Sequence, residues 1–427
     1  MAFMRRFLYI SPFFPPICRV GAFRPLKFAR HLPDYGWQPV VLCDLWSGAS
    51  TDNQLTTAIP KSTIVVRKYS KHATVTEKQL NSQSISLSKK ENSITKKRIG
   101  FFAGREWLPM GDAVFNIPHA LQSAKKAIEK YNCKAIVVNA DPVAALLVGA
   151  RLSKETGLPF IADLRDPWGP CELRLPLRPF YTRWIEKYFE SKAVKQSSKV
   201  ILNTNITLDQ YKRDFPNIPT NKFTMIRNHG DKELIYSGNS PLREFDKFTL
   251  LFLGSFSRFV KADPLLHLLV ELKQKGINNE QFQLTLTSPL DYNSELLAKS
   301  LDVYNYISYI PTISYLDVGN LMDNADILTM ILPTKQRIQA KFYDYLFSER
   351  PILAISDSQS ELSKILAETQ SGELFHSTQI SNMADFIKRF ITQGRHPVLK
   401  RHPEYIKSYT SYAASEKLAD VLDSVVI

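Results

Sequence analysis

The stretch Leu158-Pro159-Phe160-Ile161-Ala162-Asp163-Leu164-Arg165-Asp166-Pro167-Trp168 decides the fold. Its first half is a short apolar run, of the length expected for a strand buried on both faces. The run then releases two acids, an arginine and a tryptophan within a few residues. Strands buried on both faces belong to parallel sheets covered by helices. Open sheets of that kind bind ligands beyond the carboxyl ends of their strands. Asp163, Arg165 and Asp166 are therefore candidate site residues at a sheet edge.

Toward the N-terminus the pattern is βαβ. Phe7 to Ile10 is apolar, Ser11 to Gly21 is rich in proline, and Arg24 to Tyr35 has a helical apolar side that Gly36 ends. Pro39 to Cys43 returns as a second strand. A strand, a loop and a helix N-terminus in that order form a ready anion site. Downstream, helices are expected over Ala120 to Tyr131 and Val143 to Thr156, with a strand, Ala135 to Asn139, between them. Tyr181 to Gln196 is an amphipathic helix with Trp184, Ile185, Tyr188 and Phe189 among basic residues, and Val200 to Asn203 is a further strand. Strands alternating with helices imply an α/β domain with a mostly parallel sheet.

At 427 residues the chain exceeds one ordinary core, so two domains are expected. A polar segment, Asp231 to Lys247, with Gly238, Asn239, Ser240 and Pro241 as turn signals, places the linker. A second α/β series follows. Its strands are Phe248 to Leu253, Phe282 to Thr287, Ile307 to Ile310, Ile327 to Leu332 and Ile352 to Ile355, with a helix over Asp263 to Lys273. A last helix, about Tyr405 to Val425, lies beyond this sheet. The expected domains are thus 1–238, 239–404 and a C-terminal helix 405–427.

The charge is one-sided. Residues 1–200 hold 31 Lys and Arg against 15 Asp and Glu, or +16, whereas 201–427 hold 24 against 26, or −2, so the whole of the chain's excess, net +14, lies in the first part. A one-sided basic surface attracts phosphates or an anionic membrane face. No zinc-finger spacing or RNP-like aromatic motif is present, which argues against nucleic acid. Segment 68–99 carries eight Lys or Arg, two Glu and many Ser and Thr; it is expected to be a basic insertion, solvated or in contact with a membrane. No run approaches the roughly 20 apolar residues of a membrane span. Pro12, Pro15 and Pro16 break the N-terminal apolar stretch, so a first strand is expected there rather than a leader. Cys18, Cys43, Cys133 and Cys171 form no CxxC pair, which suits a reducing cytosol without structural zinc.

Two later motifs carry chemistry. In Leu251-Phe252-Leu253-Gly254-Ser255-Phe256-Ser257-Arg258-Phe259-Val260-Lys261 a buried strand ends in glycine, followed by hydroxyls and two cations. Gly254 permits close backbone approach, and Arg258 and Lys261 can neutralise a diphosphate; the same glycine also serves in a plain turn. In Lys341-Phe342-Tyr343-Asp344-Tyr345-Leu346 a helix carries Lys341 and Asp344 one turn apart. They suit a phosphate and a ribose hydroxyl, or an ordinary surface ion pair. Neither GxxxxGK[ST] nor GxGxxG occurs. His267 and Glu271 stand i,i+4 on an apolar helix and fit packing, while His229 lies in a loop beside Asn228.

Taken together, the chain resembles a GT-B glycosyltransferase of the GT4-type superfamily, in the bacterial branch devoted to surface polysaccharides. The resemblance spans nearly the whole chain. It rests on Phe14-Pro15-Pro16 with Gly21 and Arg24, His31-Leu32 with Gly36-Trp37, Asp163 to Trp168, and Arg227-Asn228 with Asp231. The Gly254 loop, the Lys341–Leu346 helix and the Pro351–Ala354 strand complete it. It implies two Rossmann-like domains facing across a cleft, with the C-terminal helix crossing back to the N-terminal domain. The first domain takes the acceptor and the second a nucleotide-sugar donor, the co-substrate, with no other cofactor and no metal. Gly21, Arg24, Asn228, Gly254, Ser255, Arg258, Lys261, Lys341 and Asp344 are the implied donor-binding residues, and Asp166, Asp163 and Arg165 the catalytic ones. The implied reaction is sugar transfer with retention onto a lipid-linked or saccharide acceptor in cell-surface polysaccharide synthesis. The implied location is the cytoplasm, peripherally on the anionic inner face of the membrane. The chain has no Asp-x-Asp motif, in accord with metal-independent transfer.

Departures from the family pattern keep alternatives open. Gln336 and Asp344 occupy the places of two glutamates eight positions apart. Arg165 stands where relatives often carry a histidine, and arginine cannot act as a base at a pKa above about 12. Cys18-Arg19 replaces a frequent Gly-Gly pair. A non-catalytic GT-B scaffold or regulatory protein fits these departures. A sugar-nucleotide 2-epimerase shares the fold but calls for more carboxylates and histidines.

Overall fold

The computed structural model describes residues 4–46, 49–70, 107–240, 244–311, 313–356 and 360–426. Segment 68–99, beyond Ser70, lies outside the described residues. The chain forms two compact units, Met1–Arg227 with Ser411–Ile427, and Asn228–Thr410. The passage between them falls at 227/228, ahead of the polar segment 231–247; that segment already belongs to the second unit and contains a short helix, Lys232–Ile235.

The first unit alternates β1 (Arg5–Ile10), α1 (Val20–His31), β2 (Trp37–Cys43), β3 (Ile64–Arg67), α2 (Ile117–Tyr131), β4 (Ile136–Asn139), α3 (Ala145–Thr156), β5 (Phe160–Leu164), α4 (Phe180–Gln196), β6 (Lys199–Leu202), α5 (Asn205–Asp214) and β7 (Phe223–Met225). The strands form one all-parallel sheet in the order β3-β2-β1-β4-β5-β6-β7. Every residue of β2, β4 and β5 is buried, as a sheet covered on both faces requires. Order reverses between β1 and β4, so their carboxyl ends define the ligand crevice of this unit.

Proline shapes α1. Pro25 lies inside the helix and has no N–H to give the carbonyl of Gly21, four residues back. Asn139 at the end of β4 fills the vacancy, its Nδ2 donating to Gly21 O at 3.0 Å. The missing helical bond thus joins α1 to the crevice edge. The main helix ends at His31, earlier than Tyr35, because Pro33 turns the chain into a 3₁₀ segment that Gly36 closes at φ 78°.

After the four-residue α6 (Lys232–Ile235), the second unit runs β8 (Phe248–Phe252), α7 (Asp263–Gln274), β9 (Phe282–Leu286), α8 (Tyr292–Ser300), β10 (Ile307–Tyr309), α9 (Val318–Asn324), β11 (Ile327–Ile331), α10 (Ala340–Tyr345), β12 (Ile352–Ile355), α11 (Leu362–Thr369), β13 (Gly372–Phe375) and α12 (Ile380–Ile391). Its sheet is also all parallel, in the order β10-β9-β8-β11-β12-β13, with the switch between β8 and β11. Two parallel sheets with Rossmann-type strand order follow from one sequence rhythm used twice.

The expected single helix 405–425 is instead α13 (Pro403–Ile406), a 3₁₀ turn at Lys407–Tyr409 and α14 (Ser411–Asp423). α14 crosses back to the first unit. Tyr412 packs on Tyr35 with ring centroids 5.1 Å apart, and Asp423 accepts from Trp37 Nε1 at 2.9 Å and Arg5 Nη2 at 2.5 Å. Leu418 and Leu422 are fully buried. Leu418→Ala is expected to destabilise the first unit by about 2–5 kcal/mol, read as a lower urea midpoint. An unchanged midpoint would mean that α14 is not an integral part of that unit.

Candidate functional site

At the carboxyl edge of the first sheet the predicted residues divide into two groups. Arg24 and Asp163 are spent on each other: Nε and Nη2 donate to the Asp163 carboxylate at 2.8 and 3.0 Å, and both side chains are at least 97% buried. Arg24 also donates to the carbonyls of Ile226 at 3.0 Å and Arg227 at 2.7 Å. With its donors engaged in this way, Arg24 positions the edge; an internal pair so saturated is a poor place for ligand phosphate or for proton transfer. The burial of Asp163 comes from its strand, since it is the fourth residue of β5 and faces inward.

The second group is open. Arg165 Nη2 reaches Asp141 Oδ2 at 3.0 Å and Asp166 Oδ2 at 3.4 Å, while Asn203 holds the Arg165 carbonyl at 3.1 Å. Burial pulls the Arg165 pKa down, but Asp141, Asp166 and Asp163 outweigh it and hold the cation above its ordinary value. Arg165 is a permanent cation that orients carboxylates. The side chains of Asp141 and Asp166 remain 33% and 29% exposed, so their oxygens can meet a hydroxyl. Asp141 was missed in the sequence. It follows β4 at a strand-to-helix junction, the same signal that marked Asp163 to Asp166. Gly21 lies close beside it, where a Cβ would stand only 2.3 Å from Asp141 Oδ2 and would push that carboxylate aside.

The loop after Asp166 is locked from beneath. Trp168 N donates to Tyr211 Oη at 2.9 Å, Tyr211 donates to Glu190 Oε1 at 2.5 Å, and Gly169 N donates to the same oxygen at 3.0 Å. Burial pushes the Glu190 carboxyl up to about 7, against hydrogen bonds from Gly169 and Tyr211 that pull it down.

In the second unit the predicted donor residues gather at the end of β8. Gly254 has φ 113°, a conformation that side chains rarely adopt, and its N–H is held by Thr287 Oγ1 at 2.8 Å. Lys341, from α10, donates to Leu253 O at 2.5 Å and lies 4.3 Å from the centre of the Phe252 ring. A Cβ on residue 254 would be 3.5 Å from its Nζ. Burial lowers the Lys341 amine to about 7, and the residue as a whole is half-buried. No carboxylate pairs with it in an ion pair among the described residues. Lys341 and Asp344 do not form the alternative ion pair: Asp344 is buried and accepts from Tyr315 Oη at 2.7 Å. Ser255, Arg258 and Lys261 are exposed around a reverse turn closed between Ser257 and Val260, just ahead of α7. Asn228 is buried, its Nδ2 3.4 Å from Ile338 O, and Gln336 is buried on the loop before α10.

Two switch points bearing charged side chains on paired Rossmann-type sheets invite comparison with solved structures. Sucrose-phosphate synthase from Thermosynechococcus elongatus matches with a TM-score of 0.66 and 13% identity, covering 98% of each chain. The fold is GT-B. HepE from Anabaena, solved with UDP and glucose, matches at 0.63 and 14% over 98% of this chain and 100% of its own. WaaG, a glycosyltransferase involved in lipopolysaccharide biosynthesis, matches at 0.57 and 14% over 97% and 98%. The UDP-GlcNAc 2-epimerase of Methanocaldococcus jannaschii matches at 0.55 and 11% over 98% and 99%. At these identities the likeness establishes fold alone. No family model and no curated protein matches the sequence.

A carboxyl raised in the folded state stabilises the protein fully below its unfolded pKa, and the contribution is lost as pH rises through the folded value. For Glu190 that window runs from the ordinary value of 4.5 to about 7. Relative to Glu190→Gln, the wild type should lose up to about 3 kcal/mol across that window, measured by urea unfolding at each pH. Parallel stability profiles would remove Glu190 from this role.

Proposed function

We propose that this chain is a retaining glycosyltransferase. It takes a sugar from a nucleoside-diphosphate donor and passes it to a lipid-linked or saccharide acceptor in cell-surface polysaccharide synthesis, on the cytoplasmic face of an anionic membrane. The observation that carries this reading is the Lys341 amine, without a carboxylate counter-ion among the described residues, beside Gly254 at the switch point of the second sheet. A half-buried amine made less basic by burial is poised to gain from an arriving anion.

In this reading the diphosphate lies against the Gly254 backbone. Lys341 takes up a proton as it binds, and Arg258 and Lys261 add exposed positive charge. When the bond between the anomeric carbon and the diphosphate oxygen breaks, negative charge grows on that oxygen. Fixed cations at such a position are often the largest catalytic contribution. The new bond joins the anomeric carbon to the acceptor oxygen, and the hydroxyl proton passes to Asp141 or Asp166, which Arg165 holds in place. Asp344 and its partner Tyr315 support the ribose side. The chain needs no cofactor besides its donor. UDP is the first nucleotide to test, since HepE was solved with it. The likeness to WaaG, a glycosyltransferase involved in lipopolysaccharide biosynthesis, supports the polysaccharide part of this reading, and no helix among the described residues is long and apolar enough to cross a membrane.

A second reading, a non-catalytic GT-B scaffold, is favoured by Gln336 and Arg165, which by the family resemblance stand where relatives often carry a glutamate and a histidine. The two readings part over turnover.

Lys341→Met should weaken UDP-glucose binding about ten- to a hundredfold, the value of a charge-assisted hydrogen bond. Wild-type affinity should fall as pH rises above about 7, the value to which burial brings the amine, while Lys341→Met shows no such dependence. Calorimetry across pH reads both; equal affinities would refute the assignment. With the preferred donor and acceptor, Asp141→Asn or Asp166→Asn should cut turnover by about 10²–10⁴ while sparing donor affinity. Full activity in both variants would take the carboxylates out of the reaction, and a wild type that binds donor without turnover would support the scaffold.

A further inference from the structure

The helix α4 presents to solvent a face of unusual composition. Phe180 and Trp184 are 77% and 72% exposed, and Tyr181 and Tyr188 are exposed beside them. Positions 180, 184 and 188 recur at i,i+4 and so share one side of the helix. The stripe continues as charge. Lys192 follows Tyr188 by four residues, its Nζ 4.3 Å from the centre of that ring, and Arg183, Lys187 and Lys195 are also exposed. Apart from Gln196, every exposed residue of α4 is aromatic or cationic.

The acids of α4 point the other way. Glu186 is 2% exposed and is held by Arg178 and by Met110 N at 2.7 Å; Glu190 is 3% exposed and belongs to the lock beneath Trp168. Burial of the helix's acids leaves an outer face of one sign. Trp107 widens the apolar part: it is 63% exposed, and its carbonyl is tied to α4 by Thr182 Oγ1 at 3.0 Å.

We propose that this face of α4, with Trp107, is the surface by which the chain docks on an anionic lipid bilayer. The proposal rests on the membrane-linked acceptor of the preceding reading and assigns its place. Seventeen helical residues span about 25 Å, enough to lie in the interface plane with aromatic rings at headgroup depth and amines over lipid phosphates. Charge complementarity selects the occupant. A second copy apposing the same face would set cation against cation, whereas an anionic leaflet attracts each amine.

The test is flotation of the full chain with vesicles of equal parts phosphatidylcholine and phosphatidylglycerol, and with phosphatidylcholine alone. The wild type should bind the anionic vesicles, more weakly as salt is added. Phe180→Ala with Trp184→Ala, and separately Lys187→Glu with Lys192→Glu, should each lose about tenfold or more in binding, because each removes rings from the interface or amines from the lipid phosphates. Tyr292→Ala, an exposed aromatic of the second unit, should bind as the wild type does. Unchanged melting midpoints confirm that the variants are folded. Anionic vesicle binding equal to wild type in both double variants would overturn the α4 assignment while leaving membrane association standing. A wild type that binds neither vesicle would overturn both, with UDP-glucose affinity still judging the donor site separately. Sedimentation showing that the double variants abolish self-association, with vesicle binding intact, would make the face a contact between copies and overturn the proposal.

Discussion

The first unit depends on the buried pair of Arg24 and Asp163. One guanidinium joins α1, the end of β5 and the carbonyls of Ile226 and Arg227, the last residues before the chain leaves for the second unit. Buried ion pairs gain little net stability over apolar packing, but breaking one costs about 3–5 kcal/mol because a lone charge remains. The pair therefore acts as a constraint on geometry. It fixes where β5 stops, and hence where Arg165 and Asp166 emerge, and it fixes the exit of the chain after β7. Asn139 does related work with a neutral group, joining Gly21 O to Ser11 Oγ at the crevice edge.

Both sheets place their chemistry by one rule. Strand ends at the reversal of order lie open, and the sequence loads them with charge. In the first unit Arg165 holds two accessible carboxylates. In the second, Lys341 is set against a carbonyl and a ring face, and burial makes its amine less basic. Gly254 beside it has no side chain to stand against the amine. Arg258 and Lys261 differ in kind, for they are solvated charges whose contribution depends on ligand proximity and is screened by salt.

The strand rhythm was legible because buried parallel strands are short apolar runs. Ile352–Ile355 agrees with the reading residue for residue, and Phe160–Leu164 falls where the apolar run of the deciding stretch put a strand. Ile64–Arg67, Phe223–Met225 and Gly372–Phe375, all at sheet edges, were missed because runs of three or four residues fall below the usual strand length. The C-terminal helix was read as continuous because Tyr405 to Val425 lacks a proline or glycine; the break at Lys407–Thr410 is made by tertiary packing, with Gly230 N donating to Tyr409 O at 3.0 Å. At the sites, Asp163 and Arg24 were visible as residue types, but their mutual burial was not, because a partner 139 residues away leaves no local trace. Asp141 was legible by the strand-end rule and was overlooked for lack of a neighbouring cation in sequence. Glu190 and Tyr211 carried no signal, since each reads as an ordinary helix residue.

The central claim is that the second unit holds a nucleoside diphosphate at Gly254 and Lys341. The most direct measurement is the thermal unfolding midpoint of the purified chain against UDP, GDP, CDP and dTDP and their common sugars. A ligand at 100 times its Kd stabilises a one-site protein by about 2.7 kcal/mol, which shifts the midpoint by several degrees. The account predicts that one nucleotide series raises the midpoint in proportion to the logarithm of concentration. Well-folded protein whose midpoint moves with none of them would contradict it.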